Sequence, residues 1–203
     1  MGKESDLLNE KILASAQSEF YTFGYQNASL RRICRGVGLT TGALYKRFSS
    51  KDQLFKAVLA PTLEAIEAYG ESQKTRDYDF LEKSQLSRMW EHRLEDLEAL
   101  MQLLYEHKDN MRLLLFRSQG SSLANFKSDM IYFATIETYH YLERAHKEGK
   151  IRHLLEYEYL QSCMTAYYTA LFEPLAQDWP KSQAMSFCTS VLQFFNWEAL
   201  LDF

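Results

Sequence analysis

Apolar residues recur at helical spacing along almost the whole chain. Leu8, Ile12, Ala16 and Phe20 line one side of a segment over 7–25, near whose end Gly24 falls. Ser29 is a suitable cap for a short helix through Arg35, with Leu30, Ile33 and Cys34 inward. Gly36 and Gly38 bracket a tight turn, where Gly38 can take the positive φ that strains other residues. A third short helix is predicted over 40–48, and Ser50 can cap a fourth over 51–69. Longer helices follow over 80–107, 110–118, 122–148, 155–177 and 181–201, separated by GESQKTRDYD, HKDN, SQGSS, EGKIRH and QDWPKS. No stretch alternates long enough to build a sheet. The pattern predicts an all-α protein with a small helix-turn-helix domain over 1–53 and a larger helical bundle over 54–203. Pro61 deletes a backbone donor within the fourth helix, which implies either a kink there or a helix end at Ala60.

Composition adds limits. The chain of 203 residues is 46% hydrophobic and 25% charged, ordinary for a folded soluble protein. No apolar run approaches the ~18 residues of a membrane span. The opening MGKESDLLNEK lacks the apolar core of a signal peptide. Cys34, Cys163 and Cys188 are odd in number and widely spaced, which suits reduced thiols in a cytoplasmic protein.

Charge changes the picture more. The net charge is -4, yet residues 28–56 hold seven Lys/Arg against one Asp/Glu. A basic first third on an acidic body points to a polyanion at one end. Two short helices joined by a glycine-containing turn, packed on a longer first helix, describe a helix-turn-helix, whose second helix enters the major groove of DNA. On that second helix Leu44 and Phe48 point one way, and Gly42, Ala43, Lys46 and Arg47 the other. Gly42 costs about 1 kcal/mol of helix stability relative to Ala, and its lack of a side chain lets a backbone approach phosphates or base edges. Lys46 and Arg47 can neutralise phosphates, Tyr45 can offer its hydroxyl to one, and Lys51 stands at a helix start that already favours an anion.

The run SLRRICRGVGLTTGALYKRFSSKDQL resembles the DNA-binding signature of the TetR family of bacterial transcriptional regulators. Ser29, Ile33, Gly38, Leu39, Gly42, Leu44, Tyr45, Phe48, Lys51 and Leu54 fall in register, while Cys34 and Val37 stand where alanines are usual. The resemblance implies that Arg31, Thr40, Thr41, Ala43, Tyr45, Lys46 and Lys51 occupy positions that commonly touch DNA. Arg31 and residues 41–43 are expected to read bases, with Ser29, Tyr45, Lys46, Arg47 and Lys51 on phosphates.

One such helix gives too few base contacts for useful specificity, so a homodimer on two half-sites is expected. Two C-terminal stripes are candidates for its interface: Leu160, Met164, Tyr167, Leu171 and Leu175, then Ala184, Phe187, Val191, Phe194, Phe195 and Leu201. The resemblance also implies that the last two helices form a four-helix bundle with the partner's copies. Helix 122–148 is apolar nearly all round, which predicts a central position. The resemblance places a pocket for a small effector among the middle helices, with Trp90, Met101, Tyr105, Phe116, Phe133 and Tyr139 as candidate lining. Glu137 on the central helix would need a partner if buried: Arg117, His140 or a cationic ligand.

Enzyme readings find little support. Glu137-x-x-His140 and Glu143-x-x-His146 have di-iron spacing, but both lie on one helix rather than two. There is no HExxH, GxSxG or glycine-rich phosphate loop, and no cofactor is implied. The expected protein is a ligand-responsive repressor that binds a palindromic operator as a homodimer. The alternatives are an all-α metal-binding enzyme, or a module whose basic face meets an acidic protein partner.

Overall fold

In a computed structural model the described residues are 2–83, 85 and 93–195; Trp90 and residues 196–203 lie outside them. Among the described residues there are nine helices and no strand. They are α1 (Gly2–Asn27), α2 (Leu30–Gly36), α3 (Thr41–Tyr45), α4 (Lys51–Glu82), α5 (Arg93–Glu106), α6 (Lys108–Phe116), α7 (Phe126–Lys147), α8 (Tyr157–Ala176) and α9 (Lys181–Phe194). No helix among them is long and apolar enough to cross a membrane.

The chain divides into two compact units, and the division is not a single cut. The first joins residues 1–65 with 109–127, and the second joins 66–108 with 128–203. In the first, Ile12, Ala16 and Phe20 of α1 are fully buried with Ile33, Leu54, Phe55 and Leu59, and Leu113 and Leu114 of α6 add to that core. Phe55 meets Phe20 and Tyr25 edge-on, with centroids 4.9 and 5.0 Å away, and those two rings stack on each other at 6.0 Å. α1 leaves helical geometry at Gly24, which takes φ 70° and ψ 169°, and Tyr25 then donates its N–H to the Arg117 carbonyl at 2.9 Å.

α4 differs from the prediction. It runs through both Pro61 and the polar stretch GESQKTRDYD, so neither an end at Ala60 nor a break after 69 is present. Asn110 Nδ2 reaches the Val58 carbonyl at 3.4 Å and Thr62 Oγ1 at 2.9 Å, giving the backbone around the proline polar partners. Farther along, Lys74 pairs with Glu137 and Arg76 with Asp96, holding the polar turns in helical form.

The second unit packs Leu81, Tyr141, Leu142, Ala145, Ile151, Leu160 and Met164 into one cluster. α5 and α9 pack together, with Met101 and Leu104 buried on one side and Ala184 and Cys188 on the other. Burial pushes the Cys188 thiol up to about 11 and raises that of Cys34, so both are inert apolar fillers.

Several expectations for this unit need correction. Leu160, Met164, Leu171 and Val191 are buried in their own chain, because the strongest apolar stripe of each helix faces its own core. Tyr167 packs on Phe195 and Phe187 on Trp179, leaving Phe194, 84% exposed, as the outward member of the expected interface. α7 is not central throughout, since Tyr132 and Phe133 are exposed and stack on each other at its surface.

The candidate pocket residues that are described take these places. Met101 is fully buried, Tyr105 donates its hydroxyl to the Trp179 carbonyl at 2.9 Å, and Tyr139 packs edge-on against Tyr157. Phe133 is 64% exposed, and Phe116 belongs to the first unit. Glu137 is half exposed and pairs with Lys74 at 2.8 Å, a partner outside the three considered from sequence.

Candidate nucleic-acid interface

Three helix starts set the interface, and each is capped by a hydroxyl. Ser29 Oγ accepts from the Arg32 N–H at 3.4 Å, Thr40 Oγ1 from Ala43 at 3.2 Å, and Ser50 Oγ from Gln53 at 3.0 Å. Gln53 returns the favour by accepting from the Ser49 N–H, completing a reciprocal cap one residue early. The turn between α2 and α3 needs Gly38 at φ 68°, and the Leu39 N–H closes it on the Cys34 carbonyl at 2.9 Å. Gly36 permits close approach: a Cβ there would stand 2.7 Å from Ser15 Oγ, which itself donates to the Ile33 carbonyl.

α3 is shorter than predicted, ending at Tyr45, with Lys46 and Arg47 in the turn beyond. Only Leu44 of its five residues is buried. Gly42 is exposed, and a Cβ built on it would meet only its neighbour Thr40 Oγ1, at 4.0 Å. Its absence therefore answers no internal crowding. Tyr45 is 51% exposed rather than resting on the core. Arg31, Arg35 and Lys46 are exposed, and their side chains make no hydrogen bond or ion pair among the described residues.

Two of the expected phosphate contacts are engaged elsewhere. Lys51 donates to the Gln26 carbonyl at 3.2 Å and sits 4.7 Å over the Tyr25 ring; burial lowers its pKa. It braces α4 against the end of α1. Arg47 reaches Asn9 Oδ1 at 2.7 Å and Ser5 Oγ at 3.2 Å, tying the turn after α3 to the first turns of α1.

Sequence reasoning missed the residues that hold this surface in place. Glu19, 8% exposed, accepts from the Ser29 N–H at 2.7 Å and from Arg32 Nε at 2.8 Å. The Arg32 guanidinium in turn lies 4.2 Å over the Phe23 ring. Burial opposes ionisation of Glu19, but the hydrogen bonds from Arg32 and Ser29 outweigh it and hold the carboxyl below the usual range. The available signal was a carboxylate next to Phe20 on the inward side of α1, with a cation thirteen residues on. Asp52 behaves alike. Desolvation opposes its charge, yet both oxygens accept from Ser122, at 2.8 Å each, and keep its pKa low. Gln17 Nε2 bonds Asn110 Oδ1 at 3.3 Å, and Arg117 bonds the Tyr21 and Thr22 carbonyls.

A short, sparsely buried helix after a glycine turn, braced on a long first helix and edged with unpaired cations, defines a helix-turn-helix protein. Residues 12–58 match the family model for bacterial regulatory proteins of the TetR family. The likeness to the TetR family is therefore one of this N-terminal domain. It is 37% identical over 57 residues to the HTH-type transcriptional repressor AcnR of Corynebacterium jeikeium, covering 27% of this chain and 30% of AcnR. It is 32% identical over 59 residues to the HTH-type transcriptional regulator UidR of Escherichia coli K12, covering 29% and 30%. These matches thus span about 30% of the curated relatives' own length. Whole-chain likeness is one of fold. The secondary repressor NalD of the Pseudomonas aeruginosa MexAB-OprM efflux pump superposes with TM-score 0.58 at 20% identity, covering 94% of this chain and 96% of NalD. A TetR-like regulator from Rhodococcus sp. RHA1 gives 0.58 at 17% identity, with 95% of each chain covered.

Proposed function

We propose that this chain is a cytoplasmic transcriptional regulator, a repressor, that binds a palindromic operator as a homodimer and is released by a small-molecule effector. The observation that carries the reading is the outward face of the helix-turn-helix. Thr41, Gly42 and Ala43 offer a small surface, flanked by Arg31, Arg35 and Lys46 with their charges unpaired among the described residues. Unpaired cations can neutralise phosphate, and the small residues let the helix approach base edges. Thr40 caps the helix and offers its hydroxyl at the same end. Lys51 and Arg47 contribute by fixing α4 and the turn after α3.

The dimer is supported by outer faces that lack charge. From Tyr159 to Phe172 α8 has no ionic residue, and its exposed positions include Ser162, Thr165, Ala166 and Thr169. α9 has none after Lys181 and exposes Ser182, Ser186 and Ser190 beside Phe194. Depletion of charge on two solvent-facing helix sides suits the core of an interface, and small residues allow close packing. Two recognition helices then meet major grooves about 34 Å apart.

The deciding experiment is selection of the purified protein against random duplex DNA at near-physiological salt. Enrichment of an inverted repeat, with affinity falling steeply as salt rises, is the expected result. Failure of folded, ligand-free dimer to enrich any sequence overturns the reading, and the basic face then needs a protein partner.

A further inference from the structure

Residues 30–48, which carry α2, the turn and α3, contain no Asn, Gln, Asp or Glu. That composition restricts what the outward face can read. In the major groove a carboxamide reads adenine across N6 and N7, and a carboxylate reads cytosine by accepting from N4. Neither group is present. Guanine takes a guanidinium or an ammonium, and thymine presents a C5-methyl that rewards apolar contact.

The free cations of this stretch stand at its edges. Arg31 and Arg35 are on α2, and Lys46 lies just beyond the last residue of α3. The other two are committed to α1: Arg32 to Glu19 at 2.8 Å, and Arg47 to Asn9 Oδ1 at 2.7 Å. α3 itself, Thr41–Tyr45, carries no charge. Leu44 is its buried residue, 1% exposed, and two positions earlier along the helix Gly42 falls on nearly the opposite side. Gly42 is exposed, and the space a Cβ would take there is open apart from Thr40 Oγ1 at 4.0 Å. The outward centre of the recognition helix therefore has no side chain.

Its flanks are half-buried Thr41 and Ala43, then Tyr45, 51% exposed. The Thr40 hydroxyl already accepts from the Ala43 N–H at 3.2 Å. The hydroxyls of Thr41 and Tyr45 both donate and accept, so they discriminate poorly between bases. What remains with selective power on α3 is hydrocarbon: one methyl on Ala43 and one on Thr41.

We infer that α3 reads thymine by its C5-methyl, through the methyl groups of Ala43 and Thr41, with Gly42 letting the helix sink to the depth where methyls meet. Guanine contacts fall to Arg31, Arg35 and Lys46 at the edges of the face. The inference rests on the reading of this chain as an operator-binding regulator and names the base feature its recognition helix selects. T·A pairs then lie beneath α3 in each half-site.

The test takes the duplex selected by the full chain from a random pool and replaces each thymine in turn with uracil. Uracil pairs as thymine does and lacks only the methyl. A methyl withdrawn from water on binding contributes about three- to fourfold in affinity. Uracil at one contacted position in both half-sites should therefore weaken binding about tenfold. Thr41→Ser and Ala43→Gly each delete one methyl from the protein, and each should abolish the thymine preference at its own position while leaving the other position unchanged. Ala43→Gly also weakens a helix, so melting temperatures are read alongside, and Thr41→Ser gives the second variant without that cost. Indifference to uracil at every thymine overturns the inference and leaves the operator reading standing. A methyl effect that persists in both variants also overturns it, since it then arises from duplex shape and not from contact. If no sequence is enriched, the operator reading falls and this inference falls with it.

Discussion

The two compact units treat their internal polar groups in opposite ways. In the first, each buried or half-buried polar side chain that joins helices has a matched partner: Glu19 with Ser29 and Arg32, Asn110 with Gln17 and Thr62, Asp52 with Ser122. In the second, the three buried side-chain atoms without a partner among the described residues occur, and two carboxylates share one guanidinium. A scaffold that must present side chains to a rigid duplex gains from fully met hydrogen bonds, which fix helix positions. An interior that admits a ligand, as proposed for the second unit, gains from groups left unmet until the ligand arrives.

Four substitutions break or sharpen that contrast. The largest effect is expected from Glu19→Ala, which leaves the Ser29 N–H and Arg32 without their acceptor. We expect a loss of about 2–3 kcal/mol in urea unfolding, with a matching fall in DNA affinity. Its pH dependence follows from sign. Glu19 and Asp52 both have folded pKa values below their unfolded ones, so their stabilisation is complete above the unfolded values. It is lost as pH falls through the depressed folded values. Urea midpoints followed from pH 7 to pH 3 should therefore drop less in Glu19→Ala than in the parent.

Next comes Asn110→Ala, which removes the link among α1, α4 and α6. A loss of about 1–2 kcal/mol is expected, read by thermal or urea unfolding. If the midpoint does not move, the contacts at Pro61 contribute nothing net.

Gly42→Ala separates folding from function. Open space at this Cβ predicts a gain of up to about 1 kcal/mol in stability, with weaker operator binding in a gel-shift titration. Unchanged binding would remove close backbone approach from the account. The smallest effect belongs to Tyr157→Phe in the second unit. Its hydroxyl has no hydrogen-bond partner among the described residues, so the melting temperature should hold or rise slightly. A clear fall would mean that this hydroxyl is met in solution, and the contrast between units would shrink.

What was legible in the sequence follows the range of the interactions. The caps at Ser29 and Ser50 and the turn at Gly38 act over a few residues, so local pattern sufficed, while Thr40, expected inside the helix, caps it instead. The continuation of α4 through GESQKTRDYD did not show, because the pairs of Lys74 with Glu137 and Arg76 with Asp96 join positions on different helices, far outside any local window. Stripe reading failed for Leu160 and Leu171 in another way. Periodicity tells which side of a helix is apolar, not whether its own chain or a second one covers it. The return of 109–127 to the first unit was equally hidden, since Arg117 and Ser122 look like ordinary surface residues until their partners on α1 and α4 are seen. The residues expected at the interface lie on α2 and α3, at their N-caps, in the turn beyond α3 and at the start of α4. The division of labour between outward groups and the bracing Lys51 and Arg47 needed the structure.

α3 buries Leu44 alone, and at five residues it is too short to hold its shape without the elements around it. Its form is imposed from outside, through the Thr40 cap, the Gly38 turn and the anchored Leu44. The outward letters at 41, 42, 43 and 45 are thereby released from any duty to the fold. Mutation can rewrite them while the scaffold stays constant, so a duplicated gene of this type can drift toward a new operator without first passing through an unfolded ancestor.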